Sequence, residues 1–178
     1  MPKFTFTNEE VPSFELLPIG NYAFEVIGVE IGLGSKKTAN NQVVSLKCRF
    51  FALIQNVAAK TTIADWTKPI AQWTEKLTIP IPREDCLGKE SVDANIFFGG
   101  RCNMFVKCAG MAADVGQELD LSEETVMGLR GIAYVGHYKP TQGSHVGETF
   151  NQVKTWRTDM PKFQRNTPVA APEEEKPF

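Results

Sequence analysis

Histidine is scarce in this chain of 178 residues, cysteine is sparse, and the common catalytic signatures are missing. The two histidines, His137 and His145, stand eight apart, outside the H-x3-5-H window that a local pair of zinc ligands requires. The four cysteines, Cys48, Cys86, Cys102 and Cys108, contain no CxxC and are too few for a disulfide scaffold, so reduced thiols in a cytoplasm are expected. There is no P-loop, no GxSxG and no HExxH, which removes the usual parts of phosphoryl transfer, acyl transfer and metal-assisted hydrolysis. The GxG within GVEIGLGS is not followed by a helical pattern, so no dinucleotide site is expected. The reading is a non-enzyme with no metal and no cofactor. No window approaches 18 uninterrupted apolar residues, and Glu9 and Glu10 fall where a signal peptide would need an apolar stretch. A soluble cytoplasmic protein with no membrane partner is expected.

What is present is ordinary globular material. Hydrophobic residues make up 42% and charged residues 22%, a mix that supports one packed domain and excludes wholesale disorder. A net charge of -2 argues against a grip on duplex DNA by bulk charge, so any nucleic-acid site must be local.

The period along the chain is mostly two. Tyr22 to Ile31 is a β-branched and aromatic run entered through Gly20, followed by a Gly/Ser/Lys/Asn loop to Asn41. In QVVSLKCRFFALI, Val44, Leu46, Cys48 and Phe50 fall on one face, while Ser45, Lys47, Arg49 and Phe51 fall on the other. A less regular stretch with Trp66 and Pro69 leads into a third strand, AQWTEKLTIPIP, stopped by Pro80 and Pro82. The segment after Gly88 then carries Val92, Ile96, Met104, Phe105 and Cys108 at roughly helical spacing, weakened by Gly99-Gly100 and closed by Gly110. Ser122 to Thr125 reads as a capped turn, and GIAYVGHYK with ETFNQVKTWR reads as a hairpin. This order is that of a mainly β protein, a five-stranded OB-like Greek-key barrel with one helix between strands three and four. The expected domain is 1–165. The remainder, 166–178, with its prolines and glutamates, reads as a disordered acidic tail.

Charge is concentrated locally. Residues 36–49 hold Lys36, Lys37, Lys47 and Arg49 and no acid. Residues 130–165 hold six bases, among them Lys154 and Arg157, against Glu148 and Asp159. With Phe51, Tyr134, Tyr138 and Trp156 interleaved, this is the composition a single strand of nucleic acid requires, cations for phosphates and ring faces for bases. These ten residues are the expected DNA contacts, although each aromatic is also a candidate for the core. The tail ends Glu173-Glu174-Glu175-Lys176-Pro177-Phe178, placing an apolar ring and several charges on a tether that suits a partner pocket apolar at its base and basic at its rim.

The segments LPIGNYAFEVIGVEI, QVVSLKCRFFAL, CAGM, VMGLRGIAYVGHY and GETFNQVKTW together resemble, over about 150 residues, a family of bacteriophage single-stranded DNA-binding proteins with an OB-like fold. EEEKPF is similar to the acidic tip of bacterial and phage proteins of that function, though shorter and interrupted by Lys176. The resemblance implies a protein of the host cytoplasm that coats exposed single-stranded DNA and recruits replication and recombination proteins through Glu173, Glu174, Glu175, Pro177 and Phe178. Two other classes remain open: a β-barrel that binds only protein, and an RNA-binding or annealing module.

Overall fold

A computed structural model describes residues 2–3, 5–6, 16–34, 41–56, 58, 61–111 and 113–166. Five strands, β1 (Gly20–Leu33), β2 (Gln42–Asn56), β3 (Thr61–Thr78), β4 (Arg130–Tyr138) and β5 (Phe150–Trp156), form one antiparallel sheet in the order β3-β2-β1-β4-β5. The sheet is open, and the expected closed barrel is not seen: no ladder joins β3 to β5. Side chains span the gap instead. Glu75 of β3 accepts the Val153 amide of β5 at 2.7 Å. The guanidinium of Arg101 donates to the Val153 and Lys154 carbonyls at 3.3 and 3.2 Å.

The connection from β3 to β4 differs from the single expected helix. It carries a 3-10 turn at Arg83–Asp85, a 20-residue helix α1 (Lys89–Cys108) and a four-residue helix α2 (Glu123–Val126). Gly99-Gly100 does not interrupt α1, where Gly99 packs close to Pro80. The helix stops at Gly110, whose φ of 70° is the left-handed conformation that lets Met111 N–H return to the Val106 carbonyl. The hydrophobic burial of α1 is in its C-terminal half, through Cys102, Phe105, Val106 and Cys108; in the N-terminal half Ser91 is buried, whereas Ile96 and Phe97 project into solvent at 70% and 62% exposure.

β3 begins ten residues earlier than the sequence pattern indicates. Trp66 and Pro69 lie within it, and the ladder to β2 shifts register around Phe51, opposite Pro69. A proline with no N–H to donate is accommodated because β3 is an edge strand.

The core lies on the inner face of the sheet. Phe24 and Val26 of β1, Leu46, Cys48 and Phe50 of β2, Leu77 of β3, Val135 of β4 and Val153 of β5 meet Phe105 and Cys108 of α1. Phe24, Phe105 and Trp156 form its aromatic centre, with Trp156 edge-on to both rings at 5.0 and 5.1 Å. The β2 alternation read from sequence holds on this side, since Val44, Leu46, Cys48 and Phe50 are all buried.

After β5 the chain returns across the other face. Phe163 packs edge-on to Trp66 at 5.1 Å, the Arg165 guanidinium reaches the Met127 carbonyl at 2.7 Å, and Asn166 N–H donates to the Gly128 carbonyl at 2.8 Å. Asn166, which the sequence boundary assigns to the tail, is thus hydrogen-bonded to the domain. Among the described residues no helix is long and apolar enough to cross a membrane.

Candidate nucleic-acid interface

Register alone builds the outer face. Gln72, Arg49, Glu25 and Arg130 stand opposite one another across β3, β2, β1 and β4. The neighbouring row runs Thr74, Lys47, Gly28, the next Lys76, Ser45, Glu30, and on the other side lies Phe51, Ala23, Ile132. Strict alternation along β2 therefore puts Lys47 and Arg49 on the solvent side of the strand whose other residues make the core.

The face divides into a basic part and a covered part. Lys47 and Arg49 are exposed, and Arg49 Nε donates to Gln72 at 3.3 Å. Beside Lys47 lies a groove of about 340 Å³ lined by Gly28, Glu30, Ser45, Thr74 and Glu123. Phe51 shares this face, as the alternation requires, but it is 2% exposed because Trp66 sits edge-on at 4.9 Å. It is therefore not a free stacking surface, and the sequence expectation for it is corrected. Trp66 itself is half-buried and engaged, with Phe163 edge-on at 5.1 Å and the Arg130 guanidinium 4.0 Å from its centre. Arg130 also lies 3.5 Å from Glu25, whose buried carboxylate accepts the Asn166 amide.

Trp156 requires a second correction. Lys154 and Trp156 share strand parity in the sequence, but β5 is bulged: Val153 pairs with Val135 and Thr155 with Tyr134, leaving Lys154 unpaired between them. The extra residue returns Trp156 to the inner face, where it is fully buried, while Lys154 is exposed and its stem covers Gly136.

Tyr134 lies on the outer face, half-buried, opposite Asn21. Arg157 is held by Asp159, both of whose carboxylate oxygens accept at 3.0 Å, and it reaches Asn21 at 3.4 Å. Tyr138 lies elsewhere, at the gap between β3 and β5, with its ring 5.6 Å from Phe150. The structure thus groups Lys47 and Arg49, places Tyr134, Lys154 and Arg157 toward β4 and β5, and puts Tyr138 at the seam. Lys36, Lys37 and the tail residues Glu173, Glu174, Glu175, Pro177 and Phe178 lie outside the described residues.

Sequence reading missed Trp66, Gln72, Thr74 and Lys76, all on β3. The signal for Gln72, Thr74 and Lys76 was a period of two, which the register shift opposite Phe51 breaks before Trp66.

Other chemistry-bearing groups are engaged. His137 Nε2 is 2.7 Å from the Leu17 carbonyl and His145 Nδ1 is 2.8 Å from Glu148. Burial raises the Cys102 and Cys108 thiols to about 11 and moves Cys48 well above its ordinary value, which keeps these sulfurs protonated and unreactive at neutral pH. No group of three or more metal-ligating side chains converges among the described residues. What the geometry defines is a mainly β protein with an open sheet whose outer face mixes Lys47 and Arg49 with aromatic rings and the carboxylates Glu25, Glu30 and Glu123. Comparison with protein-family models and with curated proteins gives no match.

Proposed function

We propose that the protein is a sequence-independent single-stranded DNA-binding protein built on an OB-like, partly open barrel. The observation that carries this reading is the exposed pair Lys47 and Arg49 on the outer face of β2, beside the grooved surface formed with β3. The strand order β3-β2-β1-β4-β5 is that of an OB barrel opened between its third and fifth strands, a fold whose strand 2–3 face and loops 1–2 and 4–5 hold oligonucleotides. In the sequence Lys36 and Lys37 fall between β1 and β2, and Lys139 falls between β4 and β5. The resemblance of the chain to phage single-stranded DNA-binding proteins points the same way. In this reading the acidic tail ending in Phe178 recruits replication and recombination proteins, and the protein acts in the cytoplasm of the host cell.

The test is a titration of dT oligomers at several salt concentrations with wild-type protein and with Lys47→Glu/Arg49→Glu. Each phosphate contact on a single strand contributes about -0.7 to the log-log salt slope. The double variant should therefore bind several-fold more weakly at low salt, with a slope flatter by about 1.4. Tighter binding to duplex of the same length, or no response to salt, refutes the proposal. Tighter binding to ribo than to deoxy oligomers of one sequence would instead favour an RNA-binding protein.

A further inference from the structure

We infer that the seam between β3 and β5 is a second nucleotide-binding site, a stacking cleft into which single-stranded DNA passes from the Lys47 groove. The inference rests on the proposed function and extends it to a surface of which the sequence singled out Tyr138 alone. The cleft has a volume of about 480 Å³ and is walled on one side by Phe97 and Phe98 of α1 and on the other by Tyr138 and Phe150. Its rings form two pairs, Phe97 with Phe98 at 6.3 Å and Tyr138 with Phe150 at 5.6 Å.

One ring of each pair is open to solvent, while Phe98 and Phe150 are half-buried. Phe97 is 62% exposed and Tyr138 is 43% exposed, although the same helix and the same strand reach the core at Cys102 and Val135. A half-helix that leaves Ile96 and Phe97 uncovered gains nothing for folding. Ring faces held apart by the backbone on both sides of a gap are what a planar base requires, and stacking tolerates any base because every base has a π face.

The polar groups of the cleft favour phosphate without base readout. Exposed Lys76 and half-buried Arg101 supply positive charge at the rim and floor, while Glu75 is turned to the Val153 amide and the Trp73 indole. Asn151 already accepts the Leu17 amide and Gln152 accepts Lys154, so no dedicated set of amides is aimed at base edges. Continuity with the first site comes from Thr74, which lines both the Lys47 groove and the cleft. The edge strand β3 borders both, and strands lie about 4.8 Å apart, so adjacent nucleotides can occupy the two places.

The experiment uses full-length protein, dT oligomers carrying one 2-aminopurine, and the variants Phe97→Ala, Tyr138→Ala and the pair, with Tyr138→Phe as the conservative control. Each alanine variant should weaken binding by roughly 5- to 100-fold, as loss of a stacking partner does, while Tyr138→Phe binds like wild type. The salt slope should stay at the wild-type value, in contrast to Lys47→Glu/Arg49→Glu, and quenching of 2-aminopurine on binding should be lost. Thermal melting of free Phe97→Ala should be nearly unchanged, because that ring is largely exposed, whereas Tyr138→Ala, whose ring also packs on Phe150, is read on its folded fraction beside Tyr138→Phe. If wild type binds DNA and the Lys47/Arg49 variant weakens it, but the ring variants keep full affinity and quenching, the seam inference is overturned and the proposed function stands. If the ring variants keep DNA affinity and lose a co-purifying protein, the cleft belongs to a protein partner and the inference is likewise overturned. Absence of DNA binding by wild type overturns both.

Discussion

Burial raises the carboxyl of Glu75 above its ordinary value of 4.5, against the lowering effects of the Val153 and Trp73 hydrogen bonds and of the Arg101 and Lys154 charges. A group whose folded pKa is raised contributes stability that is full below its unfolded pKa and is lost as pH rises through the folded value. Glu75 should therefore make the protein less stable as pH climbs from about 4.5. Asp65 and Asp159, lowered by hydrogen bonds from Thr67 and Arg157, slope the opposite way, so the difference between wild type and Glu75→Gln isolates the Glu75 contribution. Urea unfolding across this range should show that difference growing with pH, because glutamine keeps an acceptor oxygen and loses the titration. Glu75→Ala should be worse at every pH, since a buried Val153 amide left without a partner costs about 1–3 kcal/mol. Trp156 is the second residue with a sharp consequence. Trp156→Ala should lower stability by about 3–5 kcal/mol and leave the DNA affinity of the folded fraction unchanged, and calorimetry with a titration on the same sample checks both.

Elements are held together by a few close approaches. Gly131 of β4 lies under the end of α1, where a Cβ would come within 2.8–2.9 Å of the Cys108 sulfur and carbonyl and the Phe24 ring. Gly131→Ala should push the helix off the sheet and cost about 1–3 kcal/mol, readable as a lower urea midpoint with an unchanged m-value. Local pattern was legible where the period stayed regular. β2 follows its alternation residue by residue, and the end of α1 at Gly110 follows from the need for a left-handed residue there. It was not legible where the ladder shifts. The bulge at Lys154 reverses the side on which Trp156 falls, and no residue in ETFNQVKTW signals it, because the extra residue is set by how β5 pairs with β4. Likewise Pro69 hid the first half of β3, and only the edge position of that strand explains why the proline is tolerated.

At the scale of the whole molecule, charge is nearly balanced, at -2, while the proposed DNA surface is locally basic, so affinity should depend steeply on salt. If about four phosphates are neutralised, the log-log slope should be near -3. The tail bears on the same measurement. Deleting Ala171 to Phe178 removes three glutamates and one lysine; on the proposed function this also removes a competitor for the DNA surface at an effective concentration on the order of millimolar. Binding should tighten by a factor of a few at low salt and converge with wild type at high salt. Removing Phe178 alone should leave DNA affinity unaltered and abolish capture of replication or recombination proteins; unchanged capture would reduce the tail to a solubilising end.

By itself the sequence determined that the chain is mainly β, that β2 has one core face and one basic face, and that a helical connection separates three strands from two. Those properties follow from side-chain period and from local backbone preference, which act over a few residues. Tertiary structure alone decided that Trp156 is core, that Trp66 covers Phe51, that Tyr138 lies at the seam with Phe97, and that the sheet is bridged by Glu75 and Arg101 without a ladder. Each depends on which strands become neighbours and in what register. That choice is made by the packing of α1 and the core across residues far apart in the chain, and no local pattern encodes it.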